Sequence, residues 1–467
     1  MNLLVTVEDM AEAREARAAK QLQLMKSHGT SLVCLSMNIA GPVKQNGLIR
    51  QAFGEGVQLL SDTLAGNHLD AIHKETHSEK TGPEAFFCVR GDAERIKRLT
   101  IGIEDRNPFG RLLDIDVFEK NGAKVARPDI AQPSRLCLMC DHPSAVCARS
   151  RRHTAEELFA ISMRIIREHF IKLFAEDTAS LAVRALLTEL AATPKPGLVD
   201  RVNNGAHKDM DFFTFLDSAA TLAPYFQACA FLGSQAESPE ACFPKLRAEG
   251  VLAEGRMMRV TQGVNTHKGA VFSLGILCAA AGYAFSKGLG VAPETLSAVS
   301  SQMTADALLR ELDEIEQPRT FGETLMKGRL AGARAEAAQG FPTVLRTALF
   351  ALDKALDSGD PVNDACCQAL LAVMAEAEDS VLLKRAGQKR ALEIQRTAVI
   401  LLSQGCPKDG MEEFDRQCIS GNVSAGGSAD LLAAALFMRL IRQSRWLLES
   451  RNFEEQESME DFHDHIS

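Results

Sequence analysis

The stretch "RLLDIDVF", residues 111–118, is the clearest strand pattern in the chain, and it carries two acidic residues. Alternation with a period of two places its apolar side chains on one face and Asp114 and Asp116 on the other. Two carboxylates on one face repel each other unless a cation lies between them or one is protonated. We therefore predict a divalent-metal site here; the alternative is an edge strand with two solvated acids.

The rest of the chain divides into two kinds of pattern. The first third predicts a helix over 7–26 and strands over 31–38, 84–91, 98–105 and 111–120. From about residue 154 Ala- and Leu-rich helical segments follow, at 179–191, 211–232, 268–286, 294–314, 342–358, 363–377, 387–403 and 428–448. We predict an N-terminal α+β domain with a mixed, nucleotidyltransferase-like sheet (1–175), an all-α helical domain (176–450) and an acidic, disordered tail (451–467).

Composition excludes several classes of protein. The net charge of −9 disfavours broad nucleic-acid binding, because such binding depends on neutralising phosphates. The N-terminus lacks the basic and apolar regions of a secretory signal, and Gly and Ser interrupt the apolar run at 269–285, so we expect neither secretion nor membrane insertion. Twelve cysteines without a signal sequence predict reduced thiols in the cytoplasm.

Basic residues near the aspartate strand indicate phosphate binding. The segment "NIAGPVKQNGLIRQAFGEG" (38–56) combines a Gly-Pro turn with Lys44 and Arg50, and Arg111 opens the aspartate strand. Glu104 is a candidate third metal ligand. Mg²⁺ held by such carboxylates would neutralise a triphosphate and stabilise a departing pyrophosphate.

A cysteine-rich segment follows, "SRLCLMCDHPSAVCARSRRH" at residues 134–153. Cys137, Cys140, Cys147 and His153 have a spacing that a zinc knuckle could use. Because the segment contains a single Cys-x-x-Cys and short loops, we favour three ordinary buried thiols beside a basic patch and leave zinc binding as the alternative.

The helical half is interrupted by polar segments: "TPKPGLVDRVNNGAHKDMD" (193–211), "GVNTHKGA" (263–270), "EDSVLLKRAG" (378–387) and "GNVSAGGSADLLAAALF" (421–437). Helix capping, for example by Ser428 or Asp430, accounts for one or two polar residues per helix. It does not account for a single loop that holds three acids, a His, a Lys and an Arg. We therefore predict a site for phosphate and metal, on the assumption that the segments converge in space.

The N-terminal motifs resemble the apo-citrate lyase phosphoribosyl-dephospho-CoA transferase family over most of residues 10–170. The similarity rests on "NIAGPVK", "AFGEG", "GRLLDIDV" and "RLCLMCDHPSAVCARSRRH". It implies transfer of a phosphoribosyl-dephospho-CoA group to a serine of the acyl-carrier subunit of citrate lyase, with release of pyrophosphate. The implied partner is the apo form of that subunit, and Asp114 and Asp116 would be catalytic metal ligands.

The C-terminal motifs resemble the triphosphoribosyl-dephospho-CoA synthase family across residues 178–448. The matching stretches are "PKPGLVDRVNNGAHKDMD", "GVNTHKGAVFSLG", "GARAEAAQGFP" and "GGSADLLA". The resemblance implies that ATP and 3′-dephospho-CoA are joined and adenine is expelled, so that the chain is a bifunctional enzyme.

That reaction needs a base for the attacking hydroxyl, a carboxylate for an oxocarbenium-like centre and cations for the triphosphate. Asp200, Asp209 and Asp211 are expected to stabilise charge or hold metal, and His207 or His267 to act as base or acid. The expected substrate- and phosphate-binding residues are Lys195, Arg201, Asn204, Asn265, Thr266, Lys268, Asp379, Arg385, Asn422, Ser424, Gly426 and Gly427.

The chain departs from the family patterns at Ala40, Phe321, Val381 and Ala425, where Pro, His, Asn and Pro are expected. Three alternatives stay open. The equivalent maturation of malonate decarboxylase is disfavoured by the cysteine and arginine block. A non-catalytic nucleotide- or CoA-binding regulator would fit the departures, and a nucleic-acid nucleotidyltransferase is disfavoured by the acidic charge balance.

Overall fold

The computed structural model describes residues 4–313 and 332–449. These form two compact units, one that extends to Phe170 and one that begins at Ile171. The division falls within one long helix, Ala155–Ala191. Phe321 and the predicted tail, 451–467, lie outside the described residues.

The first unit contains one four-stranded sheet and five helices, the fifth of which continues into the second unit. In chain order its elements are α1 (Val7–His28), β1 (Ser31–Met37), α2 (Gly47–Gly66), β2 (Asp70–Glu79), β3 (Gly82–Arg90), α3 (Ala93–Glu104), β4 (Leu113–Phe118), α4 (Ser144–Ser150) and α5 (Ala155–Ala191). The strand order is β2-β3-β1-β4, and all three pairings are antiparallel. The α+β class is thus confirmed, whereas the prediction of a mixed sheet is wrong.

The strand predicted at 98–105 is also wrong, because these residues belong to α3. Asp92 begins this helix by accepting a hydrogen bond from the backbone N–H of Arg95 at 2.8 Å. Ala93, Ile96 and Thr100 are buried at helical spacing, so the short alternation of Leu and Ile that follows is incidental. The fourth strand is instead β2, an edge strand whose polar, largely exposed side chains give little periodic signal.

Strand β4 lies at the opposite edge of the sheet and shows the predicted alternation. Leu113, Ile115 and Val117 are fully buried on one face. On the other face Asp114 lies opposite Ser36 and Asp116 lies opposite Cys34 of β1.

The second unit is helical, as predicted, and its described residues contain no strand. After α5 its helices are α6 (Phe212–Ser234), α7 (Pro239–Val260), α8 (Lys268–Ser286), α9 (Pro293–Asp313), α10 (Gly332–Ala338), α11 (Leu349–Asp357), α12 (Val362–Glu376), α13 (Ser380–Ser403), α14 (Lys408–Ser420), α15 (Gly426–Arg442) and α16 (Trp446–Glu449). Helices α7, α10 and α14 were not predicted. The segment predicted from 342 opens with a π-helical turn at Val344–Ala348. The one predicted from 387 begins at Ser380 and contains a non-helical residue, Gly387.

Helix α8 forms the centre of this unit. It is long and apolar enough by composition to cross a membrane, and it is the one such helix among the described residues, but 78% of its apolar window is buried in the protein. A Cβ atom added at Gly282 would lie 1.9 Å from the carbonyl oxygen of Ala230 on α6. Small residues therefore allow α6 and α8 to pack closely and place the beginning of α8 among the polar segments.

Candidate functional sites in the two units

The first unit contains a cavity of about 560 Å³ beside the end of β1. Asn38 and Ala40 line it from the segment that follows β1, and Arg111 and Arg135 contribute two guanidinium groups. The remaining wall comes from the cysteine-rich segment and the beginning of α5. The cavity therefore combines positive charge with a largely apolar wall.

Arg135 connects this cavity to the aspartate strand. Its guanidinium donates to the carbonyl oxygens of Arg111 and Leu113 at 2.9 and 2.6 Å and pairs with Asp114 at 3.0 Å. Arg111 in turn donates to the carbonyl oxygen of Cys137. Arg135 is the first residue of the motif "RLCLMCDHPSAVCARSRRH", but the sequence reasoning did not select it as a site residue.

Asp114 and Asp116 share one face of β4, but the described residues that line the cavity include neither of them. Asp116 pairs with Lys124 at 2.7 Å. Partial burial raises the pKa of Asp114, and the neighbouring Asp116 carboxylate raises it further. Two oxygen-donor groups that repel each other fit a divalent cation, because a cation would relieve the repulsion that Arg135 and Lys124 now reduce.

Three other predicted residues of this unit lie elsewhere. The ammonium of Lys44 donates to the carbonyl oxygen of Ile39, and Arg50 is exposed on α2; the cavity lining includes neither of these two described residues. Glu104 is buried with both carboxylate oxygens occupied, one by the N–H of Ile115 at 2.9 Å and the other by Arg127 at 2.6 Å. Its proposed role as a third metal ligand is wrong, because Glu104 instead fixes β4 against α3.

The second unit contains a cavity of about 610 Å³ at which all four polar segments meet. Segments separated by more than two hundred residues thus converge as the prediction assumed. Ten predicted residues line the cavity: Lys195, His207, Asp209, Asn265, Thr266, His267, Lys268, Arg385, Ser424 and Gly426. The first turns of α8, α13 and α15 all contribute to its wall.

His207 is the best placed candidate base. Its Nε2 lies 2.9 Å from the hydroxyl of Ser424, and its Nδ1 lies 3.4 Å from Arg385 and 4.0 Å from Asp209. Burial lowers the pKa of His207, and the Arg385 guanidinium lowers it further. The imidazole is therefore neutral near pH 7 and able to accept a proton.

His267 and Lys195 are buried in the same wall. The Nδ1 of His267 lies 2.7 Å from the hydroxyl of Ser218, whereas its buried Nε2 has no hydrogen-bond partner. Burial lowers the pKa of His267 to about 3, with a smaller contribution from Lys195. The ammonium of Lys195 is 2.5 Å from a carboxylate oxygen of Glu189, so the charge of this lysine is already paired within the protein.

Three predicted acids have structural roles instead. Asp200 accepts hydrogen bonds from Thr193 and from the backbone of its own loop, at 2.6 to 3.2 Å. Asp211 is the N-cap of α6 and accepts from the N–H and hydroxyl of Thr214. These contacts show that Asp200 and Asp211 stabilise the local backbone; the catalytic role predicted for Asp200 and the metal-binding role predicted for Asp211 stay predictions.

Asp379 is the third of these acids. Its carboxylate accepts from the backbone N–H groups of Val381 and Leu382 at the start of α13 and of Ser428 at the start of α15, all within 3.0 Å. It therefore joins two helix N-termini. Together with Gly427 it lines an adjoining cavity of about 760 Å³.

The remaining predicted residues are dispersed. Arg201 donates to Asn363 at 2.8 Å and lines a separate cavity of about 910 Å³. Asn204 and Asn422 are exposed. Neither of them is among the described residues that line the 610 Å³ cavity. Asn422 has a φ of 52°, a left-handed conformation that asparagine tolerates, so this residue suits the turn before α15.

Two acids that the sequence reasoning did not select, Glu189 and Asp430, line the cavity. Burial and the nearby carboxylates of Glu189 and Asp379 raise the pKa of Asp430 well above its usual range. A Cβ atom added at Gly269 would lie 1.9 Å from an Asp430 oxygen, so the glycine of "NTHKGA" admits this carboxyl. Gly269 was therefore the feature of the sequence that could have indicated a close approach of another side chain to the start of α8.

Two of the four departures from the expected motifs line cavities. Ala40 lines the first cavity, Val381 lines the second, and Ala425 is fully buried just before α15. An apolar side chain at Val381 places a methyl surface where the family pattern has an amide. Phe321 lies outside the described residues.

Comparison with known proteins divides the chain at the same place. Residues 5–169 match the family described as apo-citrate lyase phosphoribosyl-dephospho-CoA transferase (CitX), and residues 175–448 match ATP:dephospho-CoA triphosphoribosyl transferase (CitG). A Protein CitXG from Haemophilus influenzae is 33% identical over 456 residues, and one from Leuconostoc mesenteroides subsp. cremoris is 32% identical over 461; each alignment covers 94% of this chain and 97% of the relative.

A third relative matches only the second unit. The 2-(5''-triphosphoribosyl)-3'-dephosphocoenzyme-A synthase of Pectobacterium atrosepticum is 38% identical over 277 residues, which cover 59% of this chain and 92% of that protein. The alignment with a solved structure from Archaeoglobus fulgidus covers 49% of this chain and 100% of that chain, at 19% identity. Its TM-score of 0.33 is too low to indicate a shared fold. With one family matching each unit and both in a single relative, the chain belongs to the CitXG family of two-part transferases that serve citrate lyase prosthetic-group biosynthesis.

Proposed function

We propose that the two units catalyse successive steps. The helical unit would join ATP and 3′-dephospho-CoA into 2′-(5″-triphosphoribosyl)-3′-dephospho-CoA and release adenine. The α+β unit would then transfer the phosphoribosyl-dephospho-CoA group to a serine of the apo acyl-carrier subunit of citrate lyase and release pyrophosphate. Family membership supports the order of the two units along the chain and the kind of substrate each one takes.

The observation that carries the first step is the convergence of four distant segments on one cavity. Lys268, Lys384 and Arg385 supply positive charge there, which suits the triphosphate of ATP. Three helix N-termini add partial positive charge at the same wall. At two of them the Asp379 carboxylate already accepts hydrogen bonds from backbone N–H groups. A nucleoside triphosphate therefore fits this cavity better than a neutral ligand.

The same cavity contains a candidate acid and a candidate base whose pKa values are shifted in opposite directions. His207 is neutral near pH 7 and would accept the proton of the attacking ribose hydroxyl. Burial and two neighbouring carboxylates raise the pKa of Asp430, which favours its protonated form, so Asp430 would donate a proton to the departing adenine. The bond from the ribose of ATP to adenine breaks as the new bond from that ribose to the dephospho-CoA oxygen forms. One proton is taken up by His207 and one is given up by Asp430, so the reaction releases no net proton.

The second step would use the cavity of the α+β unit and the aspartate strand beside it. Arg111 and Arg135 would bind phosphate oxygens. Asp114 and Asp116 would hold Mg²⁺, which supplies charge neutralisation to the triphosphate and the departing pyrophosphate when it is bound. Arg135, which pairs with Asp114 at 3.0 Å, would bind substrate phosphate when that carboxylate is a metal ligand.

Separate measurement of the two leaving groups tests this assignment. The full chain with ATP, Mg²⁺ and 3′-dephospho-CoA should release adenine, and added apo acyl carrier should then release pyrophosphate and gain mass. Asp116→Asn should retain adenine release and lose carrier modification, while Glu119→Gln, an exposed acid just beyond β4, should retain both. If Asp116→Asn modified the carrier at the wild-type rate, the proposed metal site would be refuted. If the wild-type chain released no adenine, the proposed first step would be refuted.

A further inference from the structure

The cysteine-rich segment, which contributes to the wall of the first cavity, forms a side-chain cluster to which the proposed reactions assign no chemical role. The three thiol sulfurs of Cys137, Cys140 and Cys147 and a ring nitrogen of His153 all lie within 4.8 Å of one another. The Sγ of Cys140 is 3.4 Å from the Sγ of Cys147 and 3.4 Å from the Nε2 of His153. The interpretation as three separate buried thiols does not account for this convergence.

We propose that Cys137, Cys140, Cys147 and His153 bind a structural zinc ion. Three thiolates and one imidazole form a ligand set that proteins use for closed tetrahedral zinc sites. With Zn–S bonds of about 2.3 Å, the edges of such a tetrahedron are roughly 3.7 Å long, so the observed spacing needs only a small adjustment. The 3.4 Å between the two sulfurs is much longer than the S–S bond of a disulfide, and all twelve cysteines of the chain are free thiols.

The backbone around the cluster has the form of a zinc knuckle. Leu136 and Pro143 form an antiparallel bridge, and Cys137 donates through its N–H to the carbonyl oxygen of His142 at 2.8 Å. Cys140 therefore lies in the tight turn that this pairing closes. Cys147 follows on α4, which begins at the end of the hairpin.

The last ligand comes from the chain just beyond α4. Arg151 ends this helix with a φ of 48°, a left-handed conformation that turns the chain back toward His153. Cys137 and Cys147 are buried, at 5% and 6% exposure, whereas Cys140 and His153 are partly exposed. A closed site with four protein ligands is structural rather than catalytic, because it leaves no position for substrate.

The zinc site would hold the wall of the first cavity in place. Arg135 directly precedes the hairpin, and its carbonyl oxygen accepts from the N–H of Ser144 at 2.8 Å. Its side chain pairs with Asp114, and the carbonyl oxygen of Cys137 accepts from Arg111. In a hairpin this small and this poor in buried apolar side chains, a metal ion supplies the cross-link that a core would otherwise provide. Loss of the metal would therefore displace Arg111 and Arg135 without removing any residue that binds substrate.

Metal content of the full-length protein tests the proposal directly. The untagged chain, produced in zinc-supplemented medium and kept reduced, should contain about one zinc per chain by mass spectrometry of the metal. Cys140→Ser should reduce this to a small fraction, whereas Cys406→Ser, a partly exposed thiol of the helical unit, should retain the full amount. Zinc-free wild-type protein, or equal zinc in wild type and Cys140→Ser, would overturn the proposal.

A second variant separates metal binding from misfolding. Cys140→His keeps a ligand for zinc at this position, so it should retain much of the metal that Cys140→Ser loses. Cobalt added to the metal-free wild-type protein should give the visible absorption of a tetrahedral thiolate site. Cobalt absorption typical of octahedral oxygen ligands, or a Cys140–Cys147 disulfide in freshly reduced wild-type protein, would contradict the assignment. None of these measurements depends on either transfer activity.

Discussion

Two lysine–carboxylate pairs, one near each proposed site, have nearly the same length and very different surroundings. Lys124 pairs with Asp116 at 2.7 Å with side chains 51% and 31% exposed. Lys195 pairs with Glu189 at 2.5 Å with side chains 2% and 6% exposed. Distance alone would rank them as equals, but water surrounds only the first pair.

The difference shows how each unit would manage charge. In water an ion pair is worth little and exchanges partners easily, so the Lys124 pair would not prevent Asp116 from binding the proposed metal ion. Inside the helical unit neither partner can be released without leaving a buried, unpaired charge. The first site is therefore expected to assemble with its metal and substrate, whereas the second is assembled by folding.

The largest expected effect is at the buried pair. Lys195→Met should reduce the free energy of unfolding of the helical unit by about 3–5 kcal/mol, because Glu189 is left buried and unpaired. The only tryptophan of the chain, Trp446, is buried in this unit beside Phe174 and Phe285, so its fluorescence in urea reports this unit alone. The double variant Lys195→Met/Glu189→Leu should recover most of the loss. Equal instability of the single and double variants would show that the pair is not the cause.

The next effect concerns the base of the helical unit. His207→Gln should slow adenine release by roughly a hundredfold or more, which corresponds to about 3 kcal/mol of transition-state stabilisation. The Ser424 hydroxyl can still bond to the amide, so urea unfolding followed by Trp446 should be nearly unchanged. Adenine release within a factor of three of wild type would remove His207 from the mechanism.

A smaller effect is expected in the pH profile. Because the pKa of His207 is lowered, the wild type should stay active to a lower pH than an ordinary histidine would allow and lose rate as pH falls through that pKa. Arg385→Gln removes one cause of the lowering, so the acidic limb of the adenine-release profile should move to higher pH. Lys384→Gln is the matched control, since it removes a cavity cation that does not contact His207. Equal limbs in the two variants would contradict this account.

The smallest effect is expected at the exposed pair. Lys124→Ala should change the stability of β4 by less than about 1 kcal/mol, because solvent replaces most of what the lysine contributed. Hydrogen exchange of the β4 amides, followed by mass spectrometry, measures this directly. A loss comparable to that of Lys195→Met would mean that the two pairs do not differ in the way their exposure indicates.

Much of the site chemistry was visible in the sequence, but its assignment to residues was uneven. The alternation in "RLLDIDVF" placed both aspartates on one face of a strand, and "NTHKGA" and "GGSADLLA" placed polar residues at the starts of buried helices. Asp200, Asp211 and Asp379 were predicted as site residues and proved to bind backbone N–H groups. Helix caps and ligand-binding sites use the same short polar side chains, so residue type could not separate the two roles.

What the sequence by itself determined were the local periodicities, the two-part organisation and the residue types available for each reaction, because these follow from side-chain spacing along one segment. Only the tertiary structure decided which charges are buried, which oxygens are already occupied and which distant residues meet. It brought Asp430 to Gly269, paired Lys195 with Glu189 and gathered three sulfurs around His153. Those outcomes depend on desolvation and on contacts between segments far apart in the chain, neither of which a local pattern contains.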